Sequence, residues 1–188
     1  MIIMPRLKLE LLSFRLLLRP LEIRDAKDIY KHVRFREISK WTSNIPYPYP
    51  KDGAKKFILD QKAKLKNGTD YTFGIVLREK NEVIGVVSIM DVRRNDKHAE
   101  LGYWLSKDYW GKGIMTEAVE LALEFAFIGL KLHKMKSNVF SPNTASIKVL
   151  KRQGFKEEGV ARHETYKHRQ WVDAHYFGLL REEWNRRP

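Results

Sequence analysis

The chain has 188 residues and a formal net charge of +13, from 36 Lys and Arg against 23 Asp and Glu. That length suits a single domain, 1–188, with a real core, and 43% hydrophobic and 31% charged residues are ordinary for a soluble globular protein. The absence of cysteine excludes disulfides, a thiol nucleophile and thiolate metal sites, and the six histidines lack a His-x-x-x-His spacing, so no metal is expected. In chain order, the opening Met1–Arg6 lacks the apolar core and cleavage site of a leader. No apolar run is long enough for a bilayer, so a cytoplasmic protein without membrane contact is expected. Arg15 to Pro20 reads as a strand. Asp25 can cap a helix that buries Ile29, Tyr30 and Val33, with Asp28 in a capping-box position. Trp41 to Pro50, with three prolines and Tyr47 and Tyr49, is an ordered irregular loop. A helix follows with Ala54, Phe57, Ile58, Gln61 and Leu65 on one stripe, ended by Asn67-Gly68.

Tyr71 to Arg78 and Val83 to Val92 read as strands joined by a turn at Lys80-Asn81, and His98 to Leu105 as a third. An amphipathic helix from Ile114 to about Leu130 turns Ala118, Ala122, Phe125 and Ala126 inward and Glu117, Glu120 and Glu124 outward. Lys134 to Val139 is a short strand. Asn143 caps a helix ended by Gly154, and Glu158 to His168 pairs with Val172 to Leu180 as a hairpin. The fold class is α+β, layered α/β/α, with one mixed sheet and helices on both faces.

The stretch with most chemical content is Tyr109-Trp110-Gly111-Lys112-Gly113-Ile114-Met115-Thr116. Two glycines one residue apart let the backbone turn with its amides facing one way. The first helical turn adds its own unpaired N–H groups and the positive end of its dipole. Strand, glycine turn and helix start together suit a phosphate or pyrophosphate. A P-loop would need four residues between its glycines and a Lys-Ser/Thr ending, and a dinucleotide fingerprint a third glycine where Thr116 stands; both fail on spacing. A plain tight strand-to-helix connection remains the alternative.

Downstream, Asn138-Val139-Phe140-Ser141-Pro142-Asn143-Thr144-Ala145-Ser146 and Leu150-Lys151-Arg152-Gln153-Gly154-Phe155 complete a pattern. Together with the glycine loop it resembles the GNAT acetyltransferases, which transfer acetyl from acetyl-CoA to amines. Ala99-Glu100-Leu101-Gly102-Tyr103-Trp104-Leu105, Asn143-x-x-Ser146, the opening Leu16-Leu17-Leu18-Arg19-Pro20 and the closing Glu182-Glu183-Trp184 are similar to the RimJ/RimL-type, ribosomal-protein N-terminal acetyltransferase subgroup. The resemblance covers nearly the whole chain. It implies a mostly antiparallel sheet splayed at the acetyl-CoA site.

The resemblance also implies roles. Gly111, Lys112, Gly113, Ile114, Met115 and Thr116 would hold the pyrophosphate, mainly through backbone, because the position often basic in the family is Asp108. Trp104 and Leu105 would pair with the pantetheine amides like an added strand. Asn143 would touch the same arm besides capping its helix, and Arg152 could meet a phosphate. Glu100 stands where several family members place a base, although by alternation it also reads as a solvent-facing strand residue. Glu164 is a second candidate base; Thr165, nearest to the subgroup's matching position, cannot serve. The family's usual tyrosine acid falls on Leu150, so Ser146 would protonate or stabilise the leaving thiolate, or else only help cap the helix at its third position. Trp41 and Tyr47 would lie over the acceptor cleft, or serve as core anchors.

The implied function is transfer of acetyl to a primary amine, with a peptide or protein N-terminal α-amine favoured. A small-molecule amine is the near alternative, and a non-catalytic ribosome- or RNA-associated module the distant one. The basic charge suits an anionic cosubstrate and a nucleic-acid-rich partner such as a ribosome, and suits a polycationic acceptor badly. A homodimer is allowed.

Overall fold

The computed structural model describes residues 9–185 of the chain, so the leader expectation on Met1–Arg6 lies outside the described residues. Eight strands form one sheet: β1 (Leu11–Leu12), β2 (Leu16–Pro20), β3 (Tyr71–Leu77), β4 (Glu82–Arg93), β5 (His98–Leu105), β6 (Lys134–Phe140), β7 (Lys156–Lys167) and β8 (Gln170–Leu180). Their spatial order is β1-β2-β3-β4-β5-β6-β8-β7. Every neighbouring pair is antiparallel except β5–β6. The helices are α1 (Ala26–Val33), α2 (Arg36–Trp41), α3 (Gly53–Asn67), α4 (Ile114–Glu124), α5 (Thr144–Arg152) and α6 (Arg181–Asn185). Among the described residues no helix is long and apolar enough to cross a membrane.

Alternation along the strands divides the core in two. On one face α4 and α5 bring Ile114, Ala118, Val119, Leu123 and Leu150 onto Phe73, Ile75, Val87 and Leu101. On the other, α1, α2 and α3 bring Ile29, Val33, Ile38, Ala54 and Ile58 onto Val76, Val83, Val86 and Trp104. The α/β/α layering expected from the sequence follows from these two apolar faces.

The parallel pair positions the site. β5 and β6 are in register only from His98 opposite Lys134 to Glu100 opposite Lys136. Beyond that point β5 follows β4, as far as Gly85 opposite Leu105, while β6 follows β8. The strands therefore part like a fork. Buried Ser137 sits in the crotch, where its hydroxyl donates to the Leu101 carbonyl at 2.9 Å and replaces the lost ladder bond.

Local signals set most boundaries. Gly68 and Gly154 end α3 and follow α5 in the left-handed region, with φ of 69° and 81°. His168 and Arg169, with φ of 50° and 64°, turn the β7–β8 hairpin. Three elements depart from the sequence reading. Arg36–Trp41 is a short helix. The helix expected to run to Leu130 widens into a π-turn at Phe125–Gly129, with Leu130 N–H bonded to the Phe125 carbonyl. Phe125 there meets Tyr71 and Phe73 edge-on, at ring distances of 5.4 and 5.3 Å. The extra residue in the turn keeps both Phe125 and Phe127 in the core and leaves Ile128 outside.

The third departure is Asp25. Its side chain does not cap α1. It accepts two hydrogen bonds from buried Arg19, at 2.8 Å each, and one from the Glu22 amide at 2.8 Å. Burial pushes the carboxyl pKa up, but the Arg19 and Glu22 bonds outweigh it and the net shift is downward. Stability from this pair is therefore present above the ordinary aspartate pKa and lost as pH falls through the depressed one. Asp25→Ala strands a buried guanidinium and is expected to cost about 3–5 kcal/mol. A denaturant midpoint that falls at unchanged slope checks this.

Candidate active site

A cavity of about 770 Å³ opens in the fork, within the size range of a small-molecule site. Its floor is β5 from Leu101 to Leu105 and β6 from Ser137 to Val139; its walls are the glycine loop, the start of α4 and α5. Trp41 and Thr42, at the end of α2, close one rim.

The backbone of β5 is the first functional surface. Ser106 N–H donates to the Ile84 carbonyl at 2.9 Å, toward β4, whereas the Leu101 carbonyl faces β6 and accepts from Ser137. Backbone polar groups of a strand alternate in direction, so Tyr103 and Leu105 face the fork while Trp104 faces β4. The Leu105 carbonyl is taken by the Trp110 indole N–H at 2.7 Å. The Tyr103 amide and carbonyl and the Leu105 amide are left facing the fork. Of the expected pair Trp104 and Leu105, both line the cavity, but the Trp104 backbone faces β4 and not the fork.

The glycine loop is the second. Gly111 and Gly113 both have φ of 73°, a conformation that costs other residues energy. A methyl group built on Gly111 would meet nothing within 4 Å. Glu117 N–H is bonded to the Gly113 carbonyl at 3.2 Å, so the amides of Ile114, Met115 and Thr116 precede the first intrahelical bond. All three residues line the cavity with Gly111 and Gly113. Lys112 differs: its ammonium turns back to the Asp108 carbonyl at 2.9 Å and lies over the Tyr109 ring. The cationic side chains on the wall are instead Lys148, Lys151 and Arg152 of α5. Open glycine backbone, a helix start and a cationic helix suit a phosphate-bearing cosubstrate.

Side-chain chemistry lies on both faces of β5. On the α4–α5 face, the Tyr103 hydroxyl and Ser146 Oγ are 2.7 Å apart. Asn143 Oδ1 accepts from the Ser146 amide at 3.1 Å, which fixes α5 and leaves the serine hydroxyl to Tyr103. Burial pushes the Tyr103 pKa far up, with the Ser146 bond opposing it weakly, so the hydroxyl stays protonated. Leu150, where the family's tyrosine would fall, is wholly buried in the core. Tyr103 escaped the sequence reading. Its signal was parity: counted in twos from Leu101, it points to the same face as the expected Ser146.

On the opposite face Glu100 is half-buried and accepts a hydrogen bond from Asn138 Nδ2 at 2.8 Å. Burial, and then the nearby Asp91 charge, raise its pKa; Lys136 and Asn138 pull less strongly the other way. Asn138 sits opposite Tyr176 on β8, and the Tyr176 hydroxyl donates to Glu164 Oε1 at 2.8 Å. Glu100 and Glu164 thus end one polar row across β5, β6, β8 and β7, and Glu164 is the exposed end. Trp41 reaches the cavity, whereas Tyr47 is 54% exposed and is not among the lining residues. Tyr49 packs on Tyr30 instead, at a ring distance of 6.3 Å. Among the described residues no group of three or more His, Asp or Glu side chains could hold a metal ion.

Comparison with known proteins agrees with this geometry. Residues 15–156 match the family model described as an acetyltransferase (GNAT) domain. The "Probable N-acetyltransferase YjcK" of Bacillus subtilis is 35% identical over 166 residues, covering 86% of this chain and 92% of that one. The crystal structure of ribosomal-protein-S5-alanine acetyltransferase from Vibrio fischeri superposes with a TM-score of 0.84 at 25% identity, covering 96% of this chain and 100% of that one. RimJ of Mycobacterium smegmatis, in complex with CoA-disulfide, gives a TM-score of 0.80 at 26% identity, covering 89% and 83%. The matched region contains the fork, the glycine loop and α5 together, and the chain belongs to the GNAT family of acetyltransferases.

Proposed function

We propose that this single-domain protein transfers acetyl from acetyl-CoA to a primary amine, and that the favoured acceptor is the N-terminal α-amine of a peptide or protein. One observation carries the reading: β5 bears a proton acceptor, Glu100, at its last residue paired with β6 and just outside the cavity lining, while the donor pair Tyr103 and Ser146 lies on the opposite face of the strand, where the fork opens. An acyl group lying through the fork would meet the amine on one side and release sulfur on the other. Acetyl-CoA supplies the activated thioester. Glu100 takes the amine proton, directly or through water, and its raised pKa brings it nearer neutrality, where a base is most effective. The backbone amide of Tyr103 or Leu105 polarises the carbonyl. Ser146, backed by Tyr103, gives a proton to the departing sulfur. The amides from Gly113 to Thr116 take the pyrophosphate, Lys148, Lys151 and Arg152 the remaining phosphate charge, and Asn143 lies along the pantetheine arm.

The peptide reading is supported by the Vibrio fischeri relative, named for a ribosomal-protein alanine, and by the opening of the cavity at Trp41. The +13 charge supports approach to a nucleic-acid-rich assembly such as a ribosome. A panel of peptides that differ in the first residue, offered with acetyl-CoA and assayed for free thiol, tests the proposal. Turnover of peptides bearing a free α-amine and none of Nα-blocked ones is the expected result. Turnover of small amines alone would replace the acceptor.

The rim gives a graded prediction. Trp41→Ala is expected to raise the acceptor KM about tenfold, the size of one lost aromatic contact, and to leave the acetyl-CoA KM near its original value. Tyr47→Ala, from a position outside the cavity wall, should show the same sign with a smaller effect. Steady-state kinetics with each substrate varied in turn separates the two constants.

A further inference from the structure

Arg15 lies immediately before β2, far from the cavity in sequence, yet its guanidinium ends at the glycine loop. Nη1 donates to the Lys112 carbonyl at 3.0 Å across 97 residues. Nε donates to Glu117 Oε2 at 2.7 Å, and Nη2 is 2.5 Å from the same oxygen. Ser13 donates to the other carboxylate oxygen, Oε1. Arg78 fixes this turn from below by donating to the Ser13 and Phe14 carbonyls at 2.8 and 3.1 Å.

The consequence follows from peptide geometry. The carbonyl of Lys112 and the N–H of Gly113 belong to one planar trans peptide group and point in opposite directions. Gly113, with φ of 73°, has no side chain to hold that plane in place. Arg15 holds it from outside: with the carbonyl drawn to the guanidinium, the Gly113 N–H is turned the other way, to the side where Gly113 to Thr116 line the cavity. A second consequence is electrostatic. Glu117 stands in the first turn of α4, where a carboxylate suits the helix dipole but opposes an incoming phosphate. Arg15 neutralises it. Burial pushes the Glu117 pKa up, but the Ser13 and Arg15 bonds hold it below the ordinary value, so the carboxylate is ionised at neutral pH.

We infer that Arg15 is a positioning residue for the cosubstrate: through the Lys112 carbonyl it presets the Gly113 amide toward the pyrophosphate, and through Glu117 it cancels the one acidic charge on that turn. The inference rests on the acetyl-CoA reading of the loop. It is tested in the full chain with Arg15→Met and Arg15→Lys, by calorimetry with CoA and with dephospho-CoA and by turnover of acetyl-pantetheine, which has no pyrophosphate. Arg15→Met should raise the Kd of both CoA and dephospho-CoA about tenfold, as for one lost charge-assisted hydrogen bond. Turnover of acetyl-pantetheine should be unchanged. Arg15→Lys, which keeps the charge but has no fork to span carbonyl and carboxylate, should fall between.

An Arg15→Met variant that loses CoA and acetyl-pantetheine equally would make the residue merely structural. A loss confined to CoA and absent for dephospho-CoA would make it a direct ligand of the 3′-phosphate. Either result, or unchanged CoA affinity, overturns the inference while leaving the site standing. A wild-type protein that fails to bind CoA would overturn the reading of the site itself, and this inference with it.

Discussion

Gly113→Val is expected to raise the Kd for acetyl-CoA at least about a hundredfold, roughly 2.7 kcal/mol, while the protein stays folded. The reason is backbone conformation, not crowding. A β-carbon on Gly113 would find only the Arg15 guanidinium, 3.7 Å away. The φ of 73°, however, is one that a β-branched residue scarcely adopts. Relief requires rotation of the Lys112–Gly113 peptide, which moves the Gly113 amide out of line with those of Ile114 and Met115. The local strain is on the order of 1–3 kcal/mol, a fraction of the 5–15 kcal/mol that holds a domain together. Calorimetry on a variant with a cooperative melt checks both halves. Unchanged affinity in such a variant would move the phosphates away from the loop.

Glu100→Gln and Ser146→Ala should fail in different ways. An amine acceptor is mostly protonated at neutral pH, so loss of the base should cost on the order of 10²–10⁴ in kcat there. Part of that loss should return at alkaline pH, where free amine is abundant. The sign in the wild type follows from the raised Glu100 pKa: activity falls as pH drops through that value and the carboxylate gains a proton. Glu100→Gln removes this acidic limb. Its stability should not suffer at neutral pH. A carboxyl whose folded pKa is raised contributes its stability below the unfolded pKa and loses it as pH rises through the folded one.

Ser146→Ala acts on sulfur, already a fair leaving group, and should cost about ten- to a hundredfold, or 1.4–2.7 kcal/mol of barrier, without alkaline rescue. Because Ser146 shares its proton with Tyr103, Tyr103→Phe should cost a similar amount, and the double variant little more than either alone. pH–rate profiles of the four variants decide the assignment. Wild-type activity of Glu100→Gln across the range would pass the base to Glu164 or to water.

These predictions rest unequally on sequence and structure. The glycine loop was legible because its signals are local: two glycines, a helix start and a preceding strand lie within twenty residues. The same holds for Gly68, Gly154 and the Asn143 cap, where one residue's conformational freedom or side-chain reach decides the outcome. Strand alternation sets Glu100 on the face opposite Leu101, though that reading pointed it to solvent and the structure half-buries it. Asp25 was misread as a cap because a short acid before a helix carries the same local signal whether it meets an amide or a distant guanidinium.

What only the tertiary structure decided are the pairings that cross the chain. Tyr103 meets Ser146 across 43 residues, Glu100 meets Asn138 across 38, and Arg15 meets the Lys112 carbonyl across 97. None has a local signature, because the first two depend on how far β5 follows β4 before β6 leaves it for β8, and the third on how the start of α4 packs beside β2. That divergence balances ladder pairing and side-chain packing over the whole sheet, and a property of the whole sheet is not written at any one position in the chain. The sequence by itself determined which residues could do chemistry; the fork in the sheet decided which of them stand together.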